Sequence, residues 1–87
     1  MRADKRAVLN RLSYIEGHLR GIRKMVEEDQ YCVDVLKQTY AVQRAIQKLE
    51  TLILRTHLNT CVTEGMQDGR SDEMIEELTE LYELARK

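Results

Sequence analysis

Val8, Leu12, Ile15, Leu19, Ile22 and Val26 follow one another at intervals of 4, 3, 4, 3 and 4 residues, and Val35, Thr39, Val42, Ile46, Leu49 and Ile53 repeat the same stepping. That rhythm lays side chains along one face of an α-helix, and nowhere does the chain show the period-two alternation of a half-buried strand. The fold class is therefore all-α. Leu36, Ala41, Ala45, Leu52 and Leu58 widen the second stripe, so more than one partner helix has to cover it.

The interruptions place the helix ends. "EEDQYC", residues 27–32, breaks the pattern and offers Asp29 as N-cap of the second helix. "TEGMQDGRSD", residues 63–72, supplies Gly65 and Gly69 as stop signals and Ser71 as the next N-cap. Met74, Ile75, Leu78, Leu81, Tyr82 and Ala85 then form a short third helix, with Asp72 and Glu73 placed to favour its first turn. Helices of about 25, 33 and 15 residues result, the first two folding back as an antiparallel hairpin. No internal repeat or low-complexity tract divides the chain, so residues 1–87 read as a single domain.

The chain has no Trp, Phe or Pro and only four Tyr, so large core fillers are scarce. A short aliphatic chain buries a thin core alone, and association of copies is the usual remedy. "MRADKRAVLNRL" at the N-terminus is charged throughout, and no stretch approaches the ~18 uninterrupted apolar residues of a membrane span. The expectation is a cytoplasmic protein with no membrane partner, its two cysteines kept as reduced thiols. Charge is divided unevenly. Residues 1–55 hold eleven Lys/Arg against seven Asp/Glu, a balance of +4, and residues 56–87 hold three against eight, a balance of −5, giving the total of −1. Such asymmetry points to a polyanion partner, against the plainer reading of ordinary solvated helix faces.

In "THLNTC", residues 56–61, His57 and Cys61 stand four apart on the second helix, and Cys32 begins that helix. The i, i+4 pair emerges from one face and can grip one ion. Cys32 precedes His57 by 25 residues, roughly 37 Å along a helix axis. No intact helix unites the three within one chain, whereas antiparallel pairing with a second copy brings each helix start against its partner's end. Two-fold symmetry then gives two equivalent sites, so a three-residue site demands at least a homodimer. Two thiolates and one imidazole are a soft, three-coordinate set that suits Cu(I); Zn(II) generally wants a fourth ligand or water. A helix N-terminus favours the Cys32 thiolate. The alternative stands beside this: Cys as a small apolar packing residue and His as a hydrogen-bonded interface residue. A Cys–His nucleophile lacks any Gly-rich loop or strand-end cleft, so no enzyme is expected.

At "RLSYIEGHLRGIRKMVEEDQYCVDVLKQTYAVQRAI", residues 11–46, the chain resembles the CsoR/RcnR family of bacterial metal-responsive repressors. The carrying stretches are R-L-x-x-I-E-G-x-x-R-G-I, M-V-E-x-D and Y-C-x-D-V-L-x-Q, and the likeness extends over residues 5–84. It implies a three-helix protomer assembling as a dimer of dimers, a homotetramer, that binds double-stranded operator DNA without metal and releases it on binding the inducer. Copper sensors of the family use Cys, His and Cys, matched by Cys32, His57 and Cys61. Their outer partners, a Tyr before the first Cys and a Glu on the third helix, correspond to Tyr31 and Glu77. An acceptor of this kind orients the free N–H of a metal-bound imidazole. Nickel and cobalt sensors add a His from the N-terminal tail; the register places it at or before Met1, and "MRADKR" has no His. Formaldehyde sensors rely on an N-terminal Pro, and persulfide sensors lack the His. The resemblance thus favours a Cu(I)-responsive repressor of copper-resistance genes, the alternatives being a sensor of nickel, cobalt or another thiol-reactive inducer. His18 replaces the usual Gln in "EGHLRG"; it reads as a surface residue, or else as a recruited ligand.

No helix-turn-helix, zinc finger or aromatic single-strand platform is present. Phosphate contacts must come from basic residues of the first two helices. The resemblance implicates Arg11 and Lys48, with Lys5, Arg6, Arg44 and Arg55 as further candidates. Four copies of the +4 region would gather about +16 on a tetramer, which predicts salt-sensitive binding. A different class of function, a structural helical interaction module with Cys and His merely packed, is separated from a sensor by whether the chain binds Cu(I) tightly.

Overall fold

The computed structural model describes residues 4–87. Helix α1 runs Lys5–Glu27, α2 runs Cys32–His57, a π-helical turn occupies Leu58–Val62, α3 is Thr63–Gln67 and α4 is Ser71–Ala85. The π turn joins α2 to α3 without a break, so three rods result, as the stripes require. The middle one extends from residue 32 to residue 67, about 54 Å at a helical rise, and its length sets the 56 Å long dimension of the molecule.

Asp4 caps α1, its carboxylate accepting from the backbone N–H of Arg6 at 3.1 Å and of Ala7 at 3.3 Å. α1 and α2 then pair antiparallel along a seam of Val8, Ile15, Val42 and Leu49, flanked by Leu12, Ile22, Ala45, Leu52 and Ile53. Leu19 and Val26 continue the first stripe but are 50% and 58% exposed. The reason lies in the architecture: the molecule is 13 Å in its thin dimension, close to one helix diameter. A single layer of helices cannot enclose a core. Sixteen large apolar side chains are consequently exposed among the described residues.

Three local assignments are corrected. Asp29 is not an N-cap: it sits at φ 55° in the turn that ends α1. There the N–H of Gln30 donates to the carbonyl of Met25 at 3.0 Å and that of Asp29 to Val26 at 3.1 Å, the paired bonds of a Schellman motif. α2 starts after Tyr31 with no side-chain cap. Gly69, at φ 79°, closes the same motif before α4, with Arg70 N–H to Gly65 carbonyl at 2.7 Å and Gly69 N–H to Met66 carbonyl at 3.4 Å. Ser71 is the first helical residue rather than the cap, and no side chain caps that helix. Gly65 does not stop a helix either; it is buried inside α3, where Met74 of α4 packs on it.

Candidate metal centre

His57 ends α2 and Cys61 lies one turn on, inside the π turn. Threonines line this segment at spacings of 4 and 3. Thr56 Oγ1 donates to the Leu52 carbonyl at 3.2 Å, Thr60 Oγ1 to the Thr56 carbonyl at 2.6 Å and Thr63 Oγ1 to the Leu58 carbonyl at 2.9 Å. The last bond spans five residues, the reach of a π turn. With its one hydrogen given to the Thr56 carbonyl, Thr60 Oγ1 also lies 3.6 Å from Cys61 Sγ. The widened turn and Thr60 are not foreseen in the sequence, although the run Thr56, Thr60, Thr63 around a Cys is its visible trace.

α4 completes this end. His57 Nε2 donates to Glu77 Oε1, and Cys61 is a further side-chain partner of the imidazole. A carboxylate oxygen accepts, so in this pairing Nε2 is the donor. The Glu77 hydrogen bond, then that of Cys61, raises the His57 pKa above its ordinary 6.5, while desolvation opposes them. His57, Cys61 and Glu77 are all partly buried.

Cys32 and Tyr31 stand at the opposite end of α2, both exposed, with one continuous helix between them and His57. Within one chain the structure thus joins His57, Cys61 and Glu77 and keeps Cys32 and Tyr31 apart from them. Among the described residues no group of three His, Cys, Asp or Glu side chains is placed to hold a metal ion. What one chain assembles is a pair of candidate donors, imidazole and thiol, with a carboxylate hydrogen-bonded behind the ring. His18 is elsewhere: its Nε2 pairs with Gln38 Oε1 at 2.7 Å, tying α1 to α2, and Tyr14 meets its ring edge-on.

A second feature lies along the hairpin. Two adjoining shallow grooves between α1 and α2 share Arg11, Arg44 and Lys48, and Arg55 extends the row. None of the four enters an ion pair among the described residues. Lys5 and Arg6 are exposed in the first turn of α1, outside those grooves. Asn10 and Gln47 line the grooves as well, polar positions that charge counting passes over.

Residues 4–84 match the model of a protein family described as metal-sensitive transcriptional repressor. The chain belongs to that family. Among the metal-sensitive repressors, it is 49% identical over 76 residues to the copper-sensing transcriptional repressor CsoR of Mycobacterium bovis (strain BCG / Pasteur 1173P2), covering 87% of this chain and 64% of that one. The chain therefore spans just under two thirds of that relative's length. Its fold is similar to the crystal structure of the copper-sensing repressor CsoR with Cu(I) from Geobacillus thermodenitrificans NG80-2, with a TM-score of 0.93, 32% identity and coverage of 100% and 93%. The nickel-responsive transcriptional regulator InrS is also similar, with a TM-score of 0.80, 37% identity and coverage of 95% and 93%. Transcriptional regulators named for two different metals thus share this scaffold, so the donor set has to discriminate between them.

Proposed function

We propose that the protein is a Cu(I)-responsive transcriptional repressor, holding operator DNA in its metal-free form and releasing it when copper binds, so that copper-resistance genes are expressed. The observation that carries this reading is the half-site: His57 beside Cys61, with its Nε2 engaged by Glu77. Cys32 of a second copy completes it, because antiparallel pairing of two α2 helices sets each start against the other's end, and Tyr31 arrives with it. The single-layer thickness and the exposed apolar side chains support association into a homodimer, with two dimers forming a homotetramer. Two thiolates and one imidazole give a soft donor set, which favours Cu(I) over the harder divalent ions. The copper-sensing relatives support the same metal.

Cys32, His57 and Cys61 would hold the copper, whose positive charge would offset the negative charge of the thiolates. Copper can dissociate DNA only by binding the DNA-free conformation more tightly. Arg11, Arg44, Lys48 and Arg55 form the phosphate-binding surface, with Lys5 and Arg6 at its margin. Such contacts position the duplex without reading bases. Arg11→Ala should weaken specific and random DNA alike and reduce the salt slope by roughly one per lost phosphate contact, measured by fluorescence anisotropy over a salt series.

The likeness to InrS favours a second reading, nickel as the inducer. An anaerobic titration against competing chelators decides between the readings. One tight Cu(I) per subunit is the expected result, with Ni(II) bound weakly and X-ray absorption showing a three-coordinate shell of two sulfurs and one nitrogen. Four N/O ligands, or tight Ni(II) with loose Cu(I), would overturn it, and no stoichiometric binding of either would leave a packing module.

A further inference from the structure

α4 rests on α3, and the two approach closely where Gly65 lies beneath Met74. Gly65 is buried and Met74 is 7% exposed. A Cβ added at Gly65 would stand 2.6 Å from Met74 Sδ, 2.9 Å from Cγ and 3.3 Å from Cε. Cγ is bonded to Met74 Cβ, so swinging the terminal methyl away does not relieve the clash. The side chain must change its first rotamer in a buried position, or the helix must move. The carbonyl of the same Gly65 accepts from Arg70 N–H at 2.7 Å, and Met74 N–H donates to the Arg70 carbonyl at 3.1 Å. The residue that admits Met74 thus also anchors the turn on which α4 pivots. Met74 and Glu77 are i and i+3, on one face of α4.

We propose that Gly65 is a positioning residue for the sensor: its missing side chain lets Met74 seat α4 against α3, and that seating carries Glu77 to His57. The proposal rests on reading His57 as a ligand and Glu77 as its acceptor. Leverage makes the seating consequential. Counted from Gly69, Met74 lies about 7.5 Å along α4 and Glu77 about 12 Å. A displacement of about 1 Å at Met74, enough to restore ordinary contact with a new Cβ, becomes about 1.6 Å at Glu77. Hydrogen-bond distances span only about 0.5 Å, so the Glu77–His57 bond breaks while His57 and Cys61, on the other rod, stay in place.

The test has a metal-free arm and a loaded arm. In the metal-free protein, nuclear Overhauser contacts between the His57 ring and the Glu77 methylenes report the seating directly. Cu(I) affinity by chelator competition, and operator affinity with and without Cu(I), report its consequence. Gly65→Ala should lose the His57–Glu77 contacts and keep Cu(I) affinity within about tenfold, while its copper-induced loss of DNA affinity shrinks by about tenfold. Gly65→Ala combined with Met74→Ala, which makes room for the new methyl, should regain both the contacts and the release. Met74→Ala alone leaves a void and should weaken both, which keeps the test alive if Gly65→Ala fails to fold. Wild-type contacts and release in Gly65→Ala or in Met74→Ala overturn the proposal, as does a double variant no better than Gly65→Ala. A wild-type protein whose DNA affinity ignores Cu(I) overturns the proposed function instead, and the metal-free arm still decides the seating.

Discussion

The two ends of α2 are built differently. At its start, Tyr31 and Cys32 are exposed, the helix has no side-chain cap, and the turn before it forces Asp29 into the left-handed region. At its end, His57 and Cys61 are partly buried, a π turn bound by threonine hydroxyls holds the thiol, and Glu77 fixes the imidazole from α4. One end is arranged within its own chain, whereas the other lies open until something meets it. The division suits the shared site proposed above, in which the prearranged end would transmit occupancy to α4 and the open end would meet the second copy.

The largest effect should come from breaking the sharing. Cys32→Ala and Cys61→Ala each remove a thiolate from every site and should abolish tight Cu(I) binding. Mixed after unfolding and refolding together, the two variants form heterodimers in about half of the pairs. Each heterodimer rebuilds one intact site, from Cys32 of one chain with His57 and Cys61 of the other, and one doubly damaged site. Tight binding should return at about one Cu(I) for every four chains. A mixture that binds none would show that the three donors do not come from two chains.

A smaller loss should separate capture from transmission. His57→Ala leaves both thiolates and should retain substantial Cu(I) binding, but it severs the tie to Glu77 and should lose most copper-induced release of DNA. Couplings of this kind are typically about 1–3 kcal/mol, and the variant should forfeit the greater part. Glu77→Ala keeps all three donors and should show a milder form of the same defect. Measuring Cu(I) affinity and operator affinity with and without the metal closes each thermodynamic cycle. Release by His57→Ala equal to wild type would place transmission elsewhere.

The two turns permit a finer comparison, since Asp29 and Gly69 occupy equivalent places in the same motif at φ 55° and 79°. Left-handed backbone costs an L-residue roughly 1–2 kcal/mol and glycine almost nothing. Gly69→Ala should therefore destabilise by about 1 kcal/mol, and Asp29→Gly should be stabilising by somewhat less, because glycine loses more entropy on folding. Urea midpoints at one fixed subunit concentration test both signs. Gly69→Ala also strains the turn beneath α4, so it should weaken release, whereas Asp29→Gly should not.

Much of this was legible in the residues, and the remainder was not for definite reasons. The repeated 4-3 stepping fixed three rods and the hairpin, because helical periodicity is a local property. The distance between Cys32 and His57 followed from rise per residue alone. Helix ends were read less well: "EEDQ" and "GRSD" look like N-cap signals, yet in both places the preceding helix ends in a motif governed by a left-handed residue. Gly65 reads as a stop signal in the sequence, because only the tertiary approach of Met74 shows why a side chain is excluded there. The π turn escaped for a related reason, since one extra residue in a turn leaves composition unchanged and betrays itself only through its threonines. Leu19 and Val26 continue the apolar stripe in the sequence, yet the hairpin leaves both exposed.

The smallest expected effect lies in the pH dependence of the metal-free protein, and it too distinguishes the ends. The His57 pKa is raised by the Glu77 hydrogen bond first and by Cys61 second, so the folded state binds the proton more tightly than the unfolded chain. Such a group contributes its full stability below the unfolded value of about 6.5 and loses it as pH rises through the elevated folded value. Both partners are substantially solvated, at 30% and 44% exposure, which keeps the contribution small. Glu77→Gln retains an acceptor for Nε2 without the charge. The stability difference between wild type and Glu77→Gln should therefore be greatest in acid, below about pH 6.5, and should shrink toward alkaline pH. Val33→Ala, at the open end, removes no titrating group, and its offset from wild type should stay constant over the same range. Urea denaturation with metal chelated and thiols reduced gives both curves. A Glu77→Gln difference that grew with rising pH would mean that Glu77 does not hold the proton on His57.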